Sequence, residues 1–380
     1  MQEFRPSFEE LAVAGVRGLQ PYQPGKPMAE LARELNLDPN GIIKLASNEN
    51  PLGPGSKALN AAKAALSEVH RYPDGNAFTL KQALARHHRV GTDCITLGNG
   101  SNDVLVLLAQ TFLGPGRDAV FSEHAFAVYP IATQAVGATA RVAPALGADT
   151  DMPYGHDLEA MRAAVTDNTR VVFVANPNNP TGTWVDSDYL RDFIASLPSS
   201  VIVVVDEAYC EYAAPAGNPD ATQWLAEFPN LVVTRTFSKA FGLAGFRVGY
   251  ALSHPDVADL LNRVRQPFNA NLVAQAAAEA ALEDEDYIRE SVVMNQEQRA
   301  WLQTELEGLG LAVLPSAANF LCFGLGERCE AVNDGLLRRG VILRPVGGYG
   351  LPGFLRVTVG LPAENQRFVR ELSDLLAGTA

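Results

Sequence analysis

The chain has 380 residues, 47% of them hydrophobic and 19% charged, and carries a formal net charge of −13. That length supports a large core and two domains, and the composition is that of an ordinary globular protein. The acidic balance argues against nucleic acid or an anionic membrane as a partner, since both need a basic footprint, but leaves an anionic small molecule open because local arginines decide that.

The opening residues, Met-Gln-Glu-Phe-Arg-Pro-Ser, lack the basic-then-apolar order of a signal peptide. No apolar stretch approaches the length of a membrane span. Cys94, Cys210, Cys322 and Cys329 show no Cys-x-x-Cys spacing, so they read as reduced thiols and neither a zinc site nor a disulfide scaffold is expected. Cytoplasm is the expected compartment. Residues 1–41 read as an arm and helix packing with the small domain or a partner subunit. From residue 42 helical and strand-like patterns alternate, as in α/β folds, which predicts a large domain over 42–285 and a smaller one over 286–380.

Within the large domain, Asn60–Val69 and Thr79–Arg89 read as amphipathic helices. A short strand over Asp93–Thr96 enters Gly98-Asn-Gly-Ser-Asn-Asp103, with a helix predicted over Val104–Phe112. That layout exposes backbone amides of Gly100, Ser101 and Asn102 at a helix N-terminus, a ready phosphate site; the same donors also serve as a plain helix cap. Arg170–Ala175 is an apolar run leading into Asn176-Pro-Asn-Asn-Pro-Thr-Gly182, a turn constrained by its Pro, Asn and Gly content. Val201–Val205 is β-branched without polar interruption, which suits a strand buried on both faces of a parallel sheet. It ends in Asp206-Glu-Ala-Tyr209, and ligands in open α/β sheets gather at the carboxyl ends of strands. Ala213–Pro219 has the composition of a short linker.

Thr236–Gly249 places Lys239 between Ser238 and Arg247 among small and apolar residues. Burial and a nearby cation both favour the neutral amine that Schiff-base chemistry needs, and Ser238 with Arg247 are residue types that hold a phosphate. An ordinary surface lysine on a loop is the alternative. His254–Ala281 is helix-rich and links the domains. In the C-terminal part the patterns predict a long helix to Gly308, strands around Leu311–Leu314 and Phe320–Phe323, a helix over Glu330–Arg339, and strands over Val341–Leu343 and Leu355–Val359.

Leu45–Gly53, Arg71–Asp74, Gly98–Asp103, Asn178–Gly182, Asp206–Tyr209, Ser238-Lys239, Gly245–Arg247 and Leu355–Gly360 occur in an order and spacing that resemble the fold-type I pyridoxal-phosphate aminotransferases, and within them the histidinol-phosphate aminotransferases. The resemblance implies an α/β large domain with a mostly parallel sheet flanked by helices, an α+β small domain, and a homodimer with shared active sites. It implies pyridoxal 5'-phosphate as cofactor, no metal, and an amino donor and a 2-oxo acid as small-molecule partners.

By the same resemblance Lys239 links to the cofactor and shuttles the substrate proton, and Asp206 keeps the pyridine nitrogen protonated. Tyr209 and Asn179 bond the ring oxygen, while Ser238, Arg247, Gly100, Ser101 and Asn102 clamp the phosphate. Phe126 stacks on the ring unless it is only a core aromatic, and Tyr72 reaches the neighbouring subunit's cofactor unless it merely stabilises its turn. Arg356, an awkward charge inside a strand pattern, meets the substrate α-carboxylate. Arg344, Tyr22 and Asn48 complete the substrate site, with Arg344 and Tyr22 at the far end, although Arg344 also fits an exposed strand end. The implied reaction passes the amino group of L-histidinol phosphate to 2-oxoglutarate, giving imidazole-acetol phosphate and L-glutamate in histidine biosynthesis. An aromatic amino acid aminotransferase and a threonine-phosphate decarboxylase are the alternatives. A regulator on the same fold is disfavoured by the lack of a basic helix-turn-helix segment.

Overall fold

A computed structural model describes residues 7–214 and 220–378. The leader reading of residues 1–6 and the linker-like residues 215–219 lie outside the described residues. The arm contains a short helix, Phe8–Leu11, and an amphipathic helix, Met28–Leu35, which buries Leu31 and Ala32. Strand β1 (Ile43–Lys44) follows; although early in the sequence, it pairs in parallel with β10 (Val341–Ile342) near the C-terminus.

The central sheet has seven strands: β2 (Ile95–Gly98), β3 (Asp118–Ser122), β4 (Thr139–Ala143), β5 (Thr169–Ala175), β6 (Ile202–Asp206), β7 (Leu231–Thr236) and β8 (Gly249–Ser253). Their order is β2-β8-β7-β6-β5-β3-β4, and only the two pairings made by β8 are antiparallel. Alternation explains the uninterrupted apolar runs. Val171 and Phe173 of β5 and Val204 of β6 pack in a core on one face, while Val172, Val174, Val203 and Val205 pack in a second core on the other. The helix Leu272–Leu282 brings Ala274, Ala277, Ala278 and Ala281 to the same core as Ala58 and Ala62 of the helix Ser56–Ala65, small residues that allow close approach.

After the helix Glu285–Gly308, β9 (Phe320–Gly324), β11 (Arg344–Pro345) and β12 (Phe354–Thr358) form an antiparallel sheet in the order β11-β12-β9. Its core joins Leu302, Leu306, Leu321, Phe323, Leu355 and Phe368, with Leu45 from beside β1. The strand expected over Leu311–Leu314 is reduced to a single bridge, Val313 to Phe323. Leu314 still donates to Cys322 O at 2.8 Å, but Pro315 follows at once and has no N–H to extend the ladder. Among the described residues no helix is long and apolar enough to cross a membrane, and all four cysteines are free thiols.

Candidate active site

The carboxyl ends of the parallel strands converge on one cavity of about 620 Å³. Asp206 ends β6 in register with Ala175 of β5 and Thr234 of β7, so the residues that follow β5 and β7 flank it. Lining the cavity are Ser101, Asn102, Phe126, Asn179, Asp206, Tyr209, Ser238, Lys239 and Arg247. Tyr22 of the arm, Asn48 just after β1, and Arg344 and Arg356 of the C-terminal sheet complete it. Tyr72 lies apart, 82% exposed and stacked on Phe268 with ring centroids 4.8 Å apart.

Lys239 follows β7 and is half-buried, its amine donating to Ser47 O at 3.2 Å. Burial, then Arg356, then Arg247 pull that amine down to about 7, with Glu49 opposing. Arg356, more than 100 residues away in sequence, thus outweighs the neighbouring cation that the local motif suggested.

Asp206 is buried and accepts from Tyr129 Oη at 2.8 Å and Thr234 Oγ1 at 3.0 Å. Burial raises its carboxyl, and these bonds together with Lys239 oppose the rise. Tyr129 escaped the sequence reading although it stands three residues after Phe126, in the first turn of the helix Val128–Ala135. Tyr209 is buried beside the Lys239 amine, which stands 5.7 Å over its ring, and desolvation pushes its hydroxyl up to about 12.

The helix Ser101–Phe112 begins at Gly100, whose backbone (φ 81°, ψ 163°) suits glycine and makes no side-chain cap. The cap alternative therefore fails for Ser101 and Asn102, which are the first two helical residues rather than the N-cap. A Cβ on Gly100 would come within 2.4 Å of Arg247 Nη2, so the guanidinium packs against bare backbone there. Arg247 Nη1 donates to Ser238 Oγ at 3.2 Å, which gathers the serine, the arginine and the helix N-terminus into one cradle.

Arg356 is buried on β12, stands 5.1 Å over the Phe320 ring, and donates to Asn179 Oδ1 and to Ala46 O. Its Nε is buried and finds no hydrogen-bond partner among the described residues. Arg344 is held by Gln23 O at 2.6 Å and lies 5.7 Å over the Tyr22 ring, so it is anchored to the arm and faces the cavity. Asn48 borders the cavity, but its amide is engaged by Tyr209 and Thr358. Chemically, the site offers an amine lowered to about 7, a buried carboxyl group, an anion cradle and two further arginines lining the same cavity.

Residues 40–372 match the family model "Aminotransferase class I and II". The chain is 58% identical over 371 residues to histidinol-phosphate aminotransferase 2 of Pseudomonas fluorescens (strain Pf0-1), covering 98% of this chain and 99% of that protein. It is 58% identical to the protein of the same name from Pseudomonas aeruginosa, over 97% of this chain and 99% of the other. Among solved structures, histidinol-phosphate aminotransferase from Sinorhizobium meliloti in complex with pyridoxal-5'-phosphate superposes with a TM-score of 0.86 at 31% identity, covering 94% of this chain and 96% of that one.

Proposed function

This chain belongs to the class I and II aminotransferase family, and on that premise we propose that it passes the amino group of L-histidinol phosphate to 2-oxoglutarate, yielding imidazole-acetol phosphate and L-glutamate in histidine biosynthesis. The observation that carries the reading is the pairing of a lysine amine lowered to about 7 with an anion cradle on one side and Arg356 and Arg344 on the other.

The residues fit pyridoxal phosphate. The cradle of Gly100, Ser101, Asn102, Ser238 and Arg247 would hold its phosphate by charge and by amides that no side chain caps. Asp206, a buried carboxyl that forms no ion pair among the described residues, suits a protonated pyridine nitrogen. Phe126 offers a stacking face, and Tyr209 and Asn179 offer polar groups for the ring oxygen. When bound, the cofactor supplies an electron sink for charge developing at the substrate Cα.

The chain's own groups do the rest. Lys239 Nζ, lowered to about 7 and so about half neutral at pH 7, takes in its neutral form the proton that leaves the substrate Cα. Asp206 stabilises positive charge on the ring edge, and Tyr129 and Thr234 fix its two oxygens. Arg356, whose Nε has no acceptor among the described residues, binds an anionic group of the substrate, while Arg344 and Tyr22 hold the anion at the far end.

The proposal includes an arm (1–41), a large domain (42–285) and a small domain (286–380) in a cytoplasmic homodimer. Support for shared sites comes from Tyr72, an aromatic outside its own cavity that remains 82% exposed although it stacks on Phe268. The test is production of glutamate from L-histidinol phosphate and 2-oxoglutarate by purified protein. Phosphate-dependent release of carbon dioxide from threonine phosphate, with no glutamate formed, would replace this reading with the decarboxylase.

A further inference from the structure

Asn48 occupies a backbone conformation with φ 54°, which asparagine tolerates better than most residues, and it is almost wholly buried. Its main-chain N–H donates to Thr358 Oγ1 at 2.9 Å, and Asn319 Nδ2 donates to its carbonyl at 3.1 Å. The Thr358 hydroxyl thus already accepts one bond, and its single hydrogen donates to Asn48 Oδ1 at 3.2 Å. That choice fixes the amide, turning Nδ2 toward the Tyr209 hydroxyl, to which it donates at 2.9 Å. The tyrosine oxygen is thereby used as an acceptor on the protein side, and its own hydrogen is left for an acceptor in the cavity. Thr358 stands two residues from Arg356 on β12, so both side chains rise from the same face of the strand.

We propose that Asn48 and Thr358 are positioning residues that set the polarity of the Tyr209 hydroxyl, making it a hydrogen-bond donor toward the ring oxygen of the cofactor. The inference rests on the reading that the cavity holds pyridoxal phosphate, and it assigns Asn48 to the tyrosine instead of the substrate. Lys239 over the ring, Arg356 and Asp206 are the other charged groups acting on this hydroxyl. Because Thr358 shares a strand with Arg356, the donor is registered to the same element that meets the substrate anion.

The test is the pH titration of the absorbance of the bound cofactor in the holoenzyme. A donor at the ring oxygen stabilises its negative charge, so losing it makes the lysine-linked chromophore more basic. Thr358→Val is expected to raise the midpoint by about one pH unit, in the range of a lost hydrogen bond to a charged group. Thr358→Ser, which keeps the hydroxyl, is expected to titrate as wild type. In a Tyr209→Phe background, Thr358→Val should add nothing further. Asn48→Ala, which leaves β12 untouched, gives the same readout if the valine variant does not fold. A midpoint unchanged in Thr358→Val and Asn48→Ala, an equal shift in Thr358→Ser, or the full shift persisting without the tyrosine hydroxyl would overturn the proposal alone. Absence of any cofactor band in the wild type would overturn the cofactor reading and this inference with it.

Discussion

The acid strength of Lys239 gives the most quantitative expectation. With its amine at about 7, roughly 90% is neutral at pH 8, whereas an ordinary lysine near 10.5 would be only about 0.3% neutral. Capture of pyridoxal phosphate by the apoprotein requires the neutral amine, so its rate should rise about tenfold per pH unit below 6 and level off above 8. Arg356 is the second cause of the shift after burial, and Arg356→Gln removes that cation while keeping a polar side chain. If the midpoint moves up by about one unit, capture slows about fivefold at pH 7 and is unchanged above pH 9. Stopped-flow absorbance of the apoprotein mixed with cofactor measures both profiles. A wild-type rate still climbing tenfold per unit through pH 9, or a variant slowed equally at every pH, would refute the electrostatic account of Lys239.

Three further outcomes follow from the same geometry. Gly100→Ala places a Cβ against Arg247 in a backbone region essentially restricted to glycine, and should weaken cofactor retention about tenfold or more, measured by equilibrium dialysis; unchanged affinity would remove Gly100 from the cradle. Arg235, buried on β7, bonds Glu207 and Asp220, so Arg235→Met strands the buried Glu207 carboxylate and should cost about 3–5 kcal/mol in urea unfolding, with a loss under about 1 kcal/mol counting against it. His156 is buried and held down to about 4, so between pH 6.5 and 4 the unfolded chain binds a proton that the folded chain refuses, and stability present above pH 6.5 is lost as pH falls. Melting temperatures of wild type should therefore drop more steeply over that interval than those of His156→Gln, and equal slopes would contradict the assignment.

What the sequence made legible was local. The β-branched runs of β5 and β6 needed no tertiary information, because burial on both faces leaves only apolar side chains. The loop after β2 was readable from glycine and small polar residues, but its helix begins at Ser101 and not Val104, since polar residues in a first turn carry no apolar periodicity. Contacts distant in sequence were not legible. Nothing near residue 43 announces pairing with residue 341, and nothing near Lys239 announces that Arg356 is the largest charge acting on it. Tyr129 and Thr234 were hidden for another reason. They touch Asp206 from the helix Val128–Ala135 and from β7, and in a sequence a hydroxyl that will be buried looks the same whether or not it orients a carboxylate. The family resemblance points Asn48 at the substrate; only the positions of Thr358 and Tyr209 reveal where its amide is committed.

The central claim concerns the amino donor, and a single-turnover half-reaction tests it most directly. Holoenzyme is mixed with L-histidinol phosphate, L-phenylalanine or L-glutamate, and conversion of the bound cofactor to its aminated form is followed by absorbance. The geometry of Arg344, Tyr22 and Arg356 predicts fastest conversion with L-histidinol phosphate, and loss of that preference in Arg344→Ala. Faster conversion with L-phenylalanine, insensitive to Arg344, would contradict the account and make the protein an aromatic amino acid aminotransferase.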